Sequence, residues 1–301
     1  MAIHRPTYIY SGIGTSPLFV DLTQEMLETV LDTRGIKRVD QLNSLDQKMC
    51  LLVFPGGHAG EMMFPIEKTS QQITQLVEDG SSVLAICGGA MLFTEGGVSK
   101  PRLHPTDISD KALQALYRQG RLSHSEYSWK RLYPFLSLPA YHGRYVAPHI
   151  VKNADTPSHP ENLCAVEVTT LNGKVTESFK VCHYSGPAFL DISEDAKVML
   201  RYQDPVDLEK VRGAWEPITR QSYFQLTQEK IYDPNPVAAF SYTHGKGKIL
   251  LTGIHPEMDY AKFPAIAARH CFPRALPVEL EASEHARLAF VHQIFTELGI
   301  H

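Results

Sequence analysis

Short apolar runs alternate with helix-spaced apolar positions through the first hundred residues of this 301-residue chain. Thr7-Tyr8-Ile9-Tyr10 reads as a first strand. It is followed by a loop, Ser11 to Pro17, and then by a helix from Phe19 to Leu31 with Leu22, Met26 and Val30 on one face and acids near Asp21 at its opening. Cys50-Leu51-Leu52-Val53-Phe54 is apolar throughout, as a parallel strand covered on both faces requires. It runs into the turn Pro55-Gly56-Gly57-His58. Helical periodicity over Ile66–Val77, stopped at Gly80, precedes a third apolar run, Val83–Ile86, which ends at Cys87-Gly88-Gly89. Strand, helix, strand, helix in this order predicts an α/β fold with a doubly wound, mostly parallel sheet.

The rhythm breaks from Gly96 to about Pro160, a stretch rich in Pro, Arg, Tyr and His in which Asp107–Gln119 reads as one helix. It is either an insertion capping a cleft or a solvated excursion. Strand character returns in Cys164–Thr169, turning through Leu171-Asn172-Gly173-Lys174 into Phe179–Tyr184. A strand over Lys197–Tyr202 and a polar stretch over 203–233 follow. A second hairpin, Val237–Tyr242 with Gly247–Thr252, runs into Gly253-Ile254-His255-Pro256-Glu257. The last helix spans Ser283–Leu298, with Leu288, Val291, Phe295 and Leu298 as its apolar stripe. The expected organisation is a single domain over 1–301, with an insertion at about 97–160 and a C-terminal extension at about 260–301.

Composition narrows the function class. Apolar residues are 43% and charged residues 21%, and the formal net charge is −4, so no basic footprint for nucleic acid or an anionic membrane exists. Five widely spaced cysteines form neither a zinc pattern nor a secreted disulfide framework. There is no signal-like apolar segment at the start and no membrane-length apolar run. These readings give a cytoplasmic protein acting on a small-molecule substrate or ligand, without cofactor or metal. A homo-oligomer or a separate partner protein is left open.

The chemistry centres on Cys87. A strand entering a tight glycine turn and then a helix lifts its residue clear of the sheet edge, the geometry of a nucleophile elbow; a buried cysteine beside a glycine turn is the competing reading. A thiol nucleophile needs a base and a group that orients the base. His255 and Glu257, two residues apart after a strand, can point the same way and supply both. The amides of Gly57 and Gly88 are the candidate oxyanion hole. Gly12, Gly14, Gly56, His58, Tyr184 and Gly186 are candidate substrate-binding residues, because each falls at or just beyond the carboxyl end of a predicted strand. His58 reads more readily as a surface loop residue, and Tyr184 equally well as a core or rim position.

Pro55-Gly56-Gly57, Ala85-Ile86-Cys87-Gly88-Gly89 and His255-Pro256-Glu257 together resemble the class I glutamine amidotransferase-like superfamily and its Cys-His-Glu triad. Within it, the glycine loop after Tyr10, Tyr184–Phe189 and Gly245–Gly253 are most similar to the amidotransferase-like domain at the N-terminus of biotin–protein ligases. The resemblance covers about residues 7–100 and 160–260. It implies the flavodoxin-like fold and a cysteine hydrolase or amidotransferase-like activity through Cys87, His255 and Glu257. Two positions depart from the glutaminase pattern. Ala85 stands where Gly is usual, and Met91 stands where a substrate-holding Gln is usual, so glutamine itself is a poor fit. No biotinyl-phosphate loop is visible, so biotin ligation is not expected. A non-catalytic ligand-binding or regulatory module, and more distantly a cysteine peptidase, are the alternatives.

Overall fold

The computed structural model describes residues 5–31, 35–42, 45, 49–94, 118–119, 138–139, 145–146, 163–170, 177–184, 186–203, 206–207, 232–263 and 276–300. The strands are β1 (Thr7–Tyr10), β2 (Ile36–Val39), β3 (Leu51–Phe54), β4 (Ser82–Ile86), β5 (Tyr145–Val146), β6 (Leu163–Thr170), β7 (Ser178–Tyr184), β8 (Ala188–Phe189), β9 (Lys197–Tyr202), β10 (Val206–Asp207), β11 (Tyr232–Asp233), β12 (Val237–His244) and β13 (Gly247–Thr252). The helices are α1 (Pro17–Val30), α2 (Ala59–Glu67), α3 (Ser70–Glu78), α4 (Gly88–Met91), α5 (Leu276–Glu281) and α6 (Glu284–Glu297).

One sheet carries the order β2-β1-β3-β4-β13-β12-β9-β6-β7, with β8 and β5 added beside β12. Its first five strands are parallel and every other pairing is antiparallel, which corrects the expectation of a mostly parallel sheet. The cause is connection length. The two-residue turn Gly245-Lys246, with Gly245 at φ 58°, can join β12 to β13 only as antiparallel neighbours. The central strands are buried on both faces. Ile9, Leu51, Val53, Leu84 and Ile86 meet Val20, Met26 and Leu27 of α1 and Phe290, Val291, Ile294 and Phe295 of α6. Tyr8, Tyr10, Leu52, Phe54, Val83 and Ala85 meet Met62, Met63 and Ile66 of α2 and Ile73, Leu76 and Val77 of α3. Side chains alternate along each strand, so the continuous apolar runs feed two cores at once.

Several boundaries shift. The α1 helix begins at Pro17, so its first turn holds no acid and Asp21 falls in the second. The periodic stretch Ile66–Val77 is two helices, because Thr69 ends one, its hydroxyl donating to the Ile66 carbonyl, and its carbonyl opens the next by accepting from the Ile73 amide. Leu288 is exposed on α6. The buried stripe runs through Arg287, Phe290, Val291, Ile294 and Phe295, so the position expected for Leu288 is taken by an arginine. The apolar pattern does not anticipate β2. The stretch expected as an insertion, with its helix over Asp107–Gln119, lies outside the described residues except at a few points. There β5 pairs with β8, and the Tyr242 hydroxyl donates to the Pro139 carbonyl at 2.9 Å.

Candidate active site

Strand register brings the two halves of the site together. The strands β4 and β13 are parallel neighbours with Ile86 opposite Thr252, and the Cys87 amide donates to the Thr252 carbonyl at 2.8 Å. Both strands therefore stop level, and the residues beyond them, Cys87 on one and Gly253–Glu257 on the other, start from the same sheet edge. Cys87 turns there with φ 53° and ψ −117°, a backbone state that costs an L-residue about 1–3 kcal/mol. The strained turn is what aims its side chain out of the strand direction. It directly precedes α4, whose first backbone bond is the Met91 amide to the Cys87 carbonyl, so the Gly88 amide lies ahead of the helical ladder.

The structure places Cys87, His255 and Glu257 side by side. The His255 Nδ1–H donates to Glu257 Oε1 at 2.7 Å, with both side chains buried. The His255 Nε2 lies 3.3 Å from the Tyr184 carbonyl oxygen, and the Cys87 thiol donates to that same oxygen at 3.3 Å. The sulfur and Nε2 are thus separated by at most twice that distance. Burial works to lower the His255 pKa. The charge of Glu257, with the hydrogen bond it accepts, and the electrostatic influence of Cys87 outweigh it and raise the His255 value to about 10. The Tyr184 phenol is pushed up by burial and by the charge of Cys87, which places its ring within the field of the sulfur.

The imidazole is held at one face, at its edge and at both nitrogens. Phe19 of α1 stacks on it, ring centroids 4.2 Å apart and planes 24° from parallel. The Gly56 backbone lies at its edge, where an added Cβ would come within 2.9 Å of His255 Cε1 and 3.0 Å of Phe19. The His255 amide donates to the Cys182 carbonyl of β7 at 2.8 Å. That bond ties the histidine segment to the strand whose last carbonyl, Tyr184, faces the thiol.

The glycines expected to bind substrate serve first as points of backbone contact. A Cβ on Gly186 would meet the Gly253 carbonyl at 1.7 Å, and one on Gly253 would meet the Pro187 carbonyl at 1.7 Å. These two chains pass so closely that neither tolerates a side chain, which draws the end of β7 over Cys87 and His255. The His183 ring braces the crossing by donating from Nε2 to the Gly186 carbonyl at 3.1 Å. A Cβ on Gly88 would meet the Gly57 carbonyl at 2.0 Å, so the two candidate oxyanion-hole peptides lie directly against each other. Gly12 is wedged against the Asp40 carbonyl and the Tyr10 ring, and the Gly14 carbonyl accepts from the His58 amide at 2.7 Å. His58 itself is exposed at the start of α2.

Sequence reasoning misses Phe19 and Arg287. Phe19 carries no signal, because an aromatic in the first turn of a helix reads as core. Arg287 has one: it interrupts the apolar stripe of α6 at a core-facing position. Among the described residues no group of three or more His, Cys, Asp or Glu side chains could hold a metal ion, and no helix is long and apolar enough to cross a membrane.

Residues 159–301 match the family model described as Biotin-protein ligase, N terminal. That stretch, which carries β6 to β13 and both His255 and Glu257, is similar to that family. Among solved structures, that of a glutamine amidotransferase is 13% identical, covers 89% of this chain and 100% of its own, and has a TM-score of 0.47. A glutamine amidotransferase from Thermotoga maritima is 13% identical, with 98% of this chain and 99% of its own covered and a TM-score of 0.47. No curated protein sequence matches the chain.

Proposed function

We propose that the protein is a cysteine-dependent hydrolase or amidotransferase-like enzyme acting on an amide or related acyl substrate, with Cys87 as nucleophile, His255 as base and acid, and Glu257 as orienter. The observation that carries this reading is the buried 2.7 Å bond from His255 Nδ1 to Glu257, with the other face of the ring turned to Cys87 across the Tyr184 carbonyl. The resemblance of residues 159–301 to the biotin–protein ligase N-terminal family supports it. In this scheme the Cys87 thiolate attacks the substrate carbonyl carbon and the π electrons move to its oxygen, where the Gly88 and Gly57 amides stabilise the charge. The tetrahedral species collapses, the C–N bond breaks, and the His255 Nε2–H protonates the departing amine. Water, deprotonated by the now neutral His255, then cleaves the thioester and restores the thiolate–imidazolium pair.

The test uses p-nitrophenyl acetate as an acyl probe. Wild-type protein should gain one acetyl group, located by mass spectrometry on Cys87, and release p-nitrophenol in a burst. The variants Cys87→Ala and His255→Ala should do neither. Equal p-nitrophenol release by all three proteins, with no adduct on Cys87, would sink the proposal.

A second reading is a binding module that keeps the cleft without turnover. It is favoured by Met91, partly buried at the end of α4 one turn from Cys87, where a side chain able to hydrogen-bond a substrate amide would otherwise stand. Under this reading the acetyl adduct does not form, and a small amide or carboxylate that raises the melting temperature does so equally in Cys87→Ala.

A further inference from the structure

Arg287 is a buried charge on the apolar face of α6, one turn before Phe290 and Val291, which belong to the core beneath the sheet. Such a residue is costly to desolvate unless its donors are satisfied, and an apolar side chain would pack there at less cost. Its donors are committed. Nε donates to Glu284 Oε2 at 2.8 Å and Nη2 to Glu284 Oε1, a two-bond fork, while Nη1 donates to the Pro256 carbonyl. The first two bonds stay within α6 and hold the guanidinium plane. The third leaves the helix for the one residue that separates His255 from Glu257.

That carbonyl is not an arbitrary acceptor. The Met258 amide donates to the His255 carbonyl at 3.2 Å, so His255-Pro256-Glu257-Met258 is a β-turn with Pro256 at its second position. Its central peptide joins Pro256 to Glu257, and rotation of that peptide reorients the Glu257 backbone, and with it the carboxylate. Glu257 is absent from the positive-φ residues, so the turn holds the orientation in which its φ is negative. Pro256 has no N–H, and its carbonyl is the only backbone polar group through which the residue can be held.

We propose that Arg287 is a positioning residue for the triad: held by Glu284, it pins the Pro256 carbonyl and thereby fixes the turn that presents Glu257 to His255. The proposal rests on the triad reading for its functional meaning, and it concerns the His255–Glu257 geometry, which is measured independently of turnover. It makes α6, through Arg287, a part of the site that contacts no substrate.

The experiment titrates His255 by NMR in protein labelled at histidine, comparing wild type with Arg287→Met, Arg287→Lys and Val291→Ala. Arg287→Met lowers the His255 midpoint by about one pH unit or more, because the carboxylate no longer faces Nδ1 at bonding distance. Arg287→Lys keeps the charge but cannot span Glu284 and Pro256 with a fixed fork, and it lowers the midpoint by a smaller amount. Val291→Ala loosens the same helix away from the turn; it lowers the melting temperature and leaves the midpoint in place. A wild-type midpoint in folded Arg287→Met overturns the proposal. If that variant does not fold, a wild-type midpoint in Arg287→Lys overturns it, as does a fall in Val291→Ala equal to that in the arginine variants. Absence of the acetyl adduct on wild-type Cys87 speaks against the triad reading alone and leaves the His255 comparison interpretable.

Discussion

Replacing Glu257 by Gln removes one charge and almost no volume, so it isolates the electrostatic part of the site. In the native protein His255 rises from 6.5 to about 10 although burial pushes the other way, and Glu257 is the largest of the influences raising it. Each pH unit of displacement corresponds to 1.36 kcal/mol between the two protonation states, so the favourable environment of the imidazolium is worth on the order of a few kcal/mol. Because the folded value lies above the unfolded one, this stability is fully present below about pH 6.5 and is lost as pH rises through about 10. Wild-type protein should therefore lose denaturant stability between pH 7 and 10. In Glu257→Gln the same burial acts with the carboxylate charge gone. The His255 midpoint should then fall well below the native value, although Cys87 still raises it, and the alkaline loss of stability should flatten. Histidine-resolved NMR titration and urea melts at pH 6, 8 and 10 measure both. A Glu257→Gln variant whose His255 still titrates above about 9, or whose stability falls with pH as steeply as wild type, would refute the reasoning.

Phe19→Ala removes the ring stacked on His255 and should cost about 3–5 kcal/mol in urea melts, whereas Phe19→Leu should recover most of the stability and still slow iodoacetamide labelling of Cys87, measured by peptide mass spectrometry. Gly186→Ala places a Cβ 1.7 Å from the Gly253 carbonyl; a thermal melt should show a loss of about 3 kcal/mol or more, and an unchanged melting temperature would contradict the close crossing. Cys87 at φ 53° makes the usual order of alanine and glycine reverse: Cys87→Gly should be more stable than Cys87→Ala by about 1 kcal/mol, and the opposite order in paired melts would show that the turn is unstrained.

Cys87, His255 and Glu257 are legible in the sequence because each follows an unbroken apolar strand, and such strands announce their carboxyl ends. What brings them together is not legible, since the pairing of Ile86 with Thr252 joins segments far apart in sequence and no local pattern states it. The strand Ile36-Lys37-Arg38-Val39 escapes a sequence reading because it is the sheet's outer strand, with Lys37 and Arg38 exposed, and so carries no buried run. Leu288 misleads for the complementary reason: a periodic stripe places an apolar residue to within one helical position, and the neighbouring Arg287 takes the core side for its bond to Pro256. The antiparallel pairing of β12 with β13 follows from the Gly245-Lys246 turn, which the sequence does announce, yet the first hundred residues alone suggest parallel pairing throughout.

The glycines show how this site is specified. A glycine beside a candidate nucleophile invites the reading that its amide meets the substrate. Here the same residues are explained first by what their missing Cβ lets approach: Gly186 and Gly253 allow two backbones to cross, Gly88 accepts the Gly57 carbonyl, and Gly56 admits the edge of His255. Each contact joins loops from different strands, and every one of those loops bears on Cys87 or His255. The Tyr184 carbonyl stands between thiol and imidazole because Gly186 lets the chain beyond β7 settle onto Gly253. Substituting these glycines should therefore disturb the His255 midpoint as well as stability, whereas loss of an amide donor alone would change acyl transfer and leave the histidine titrating as before.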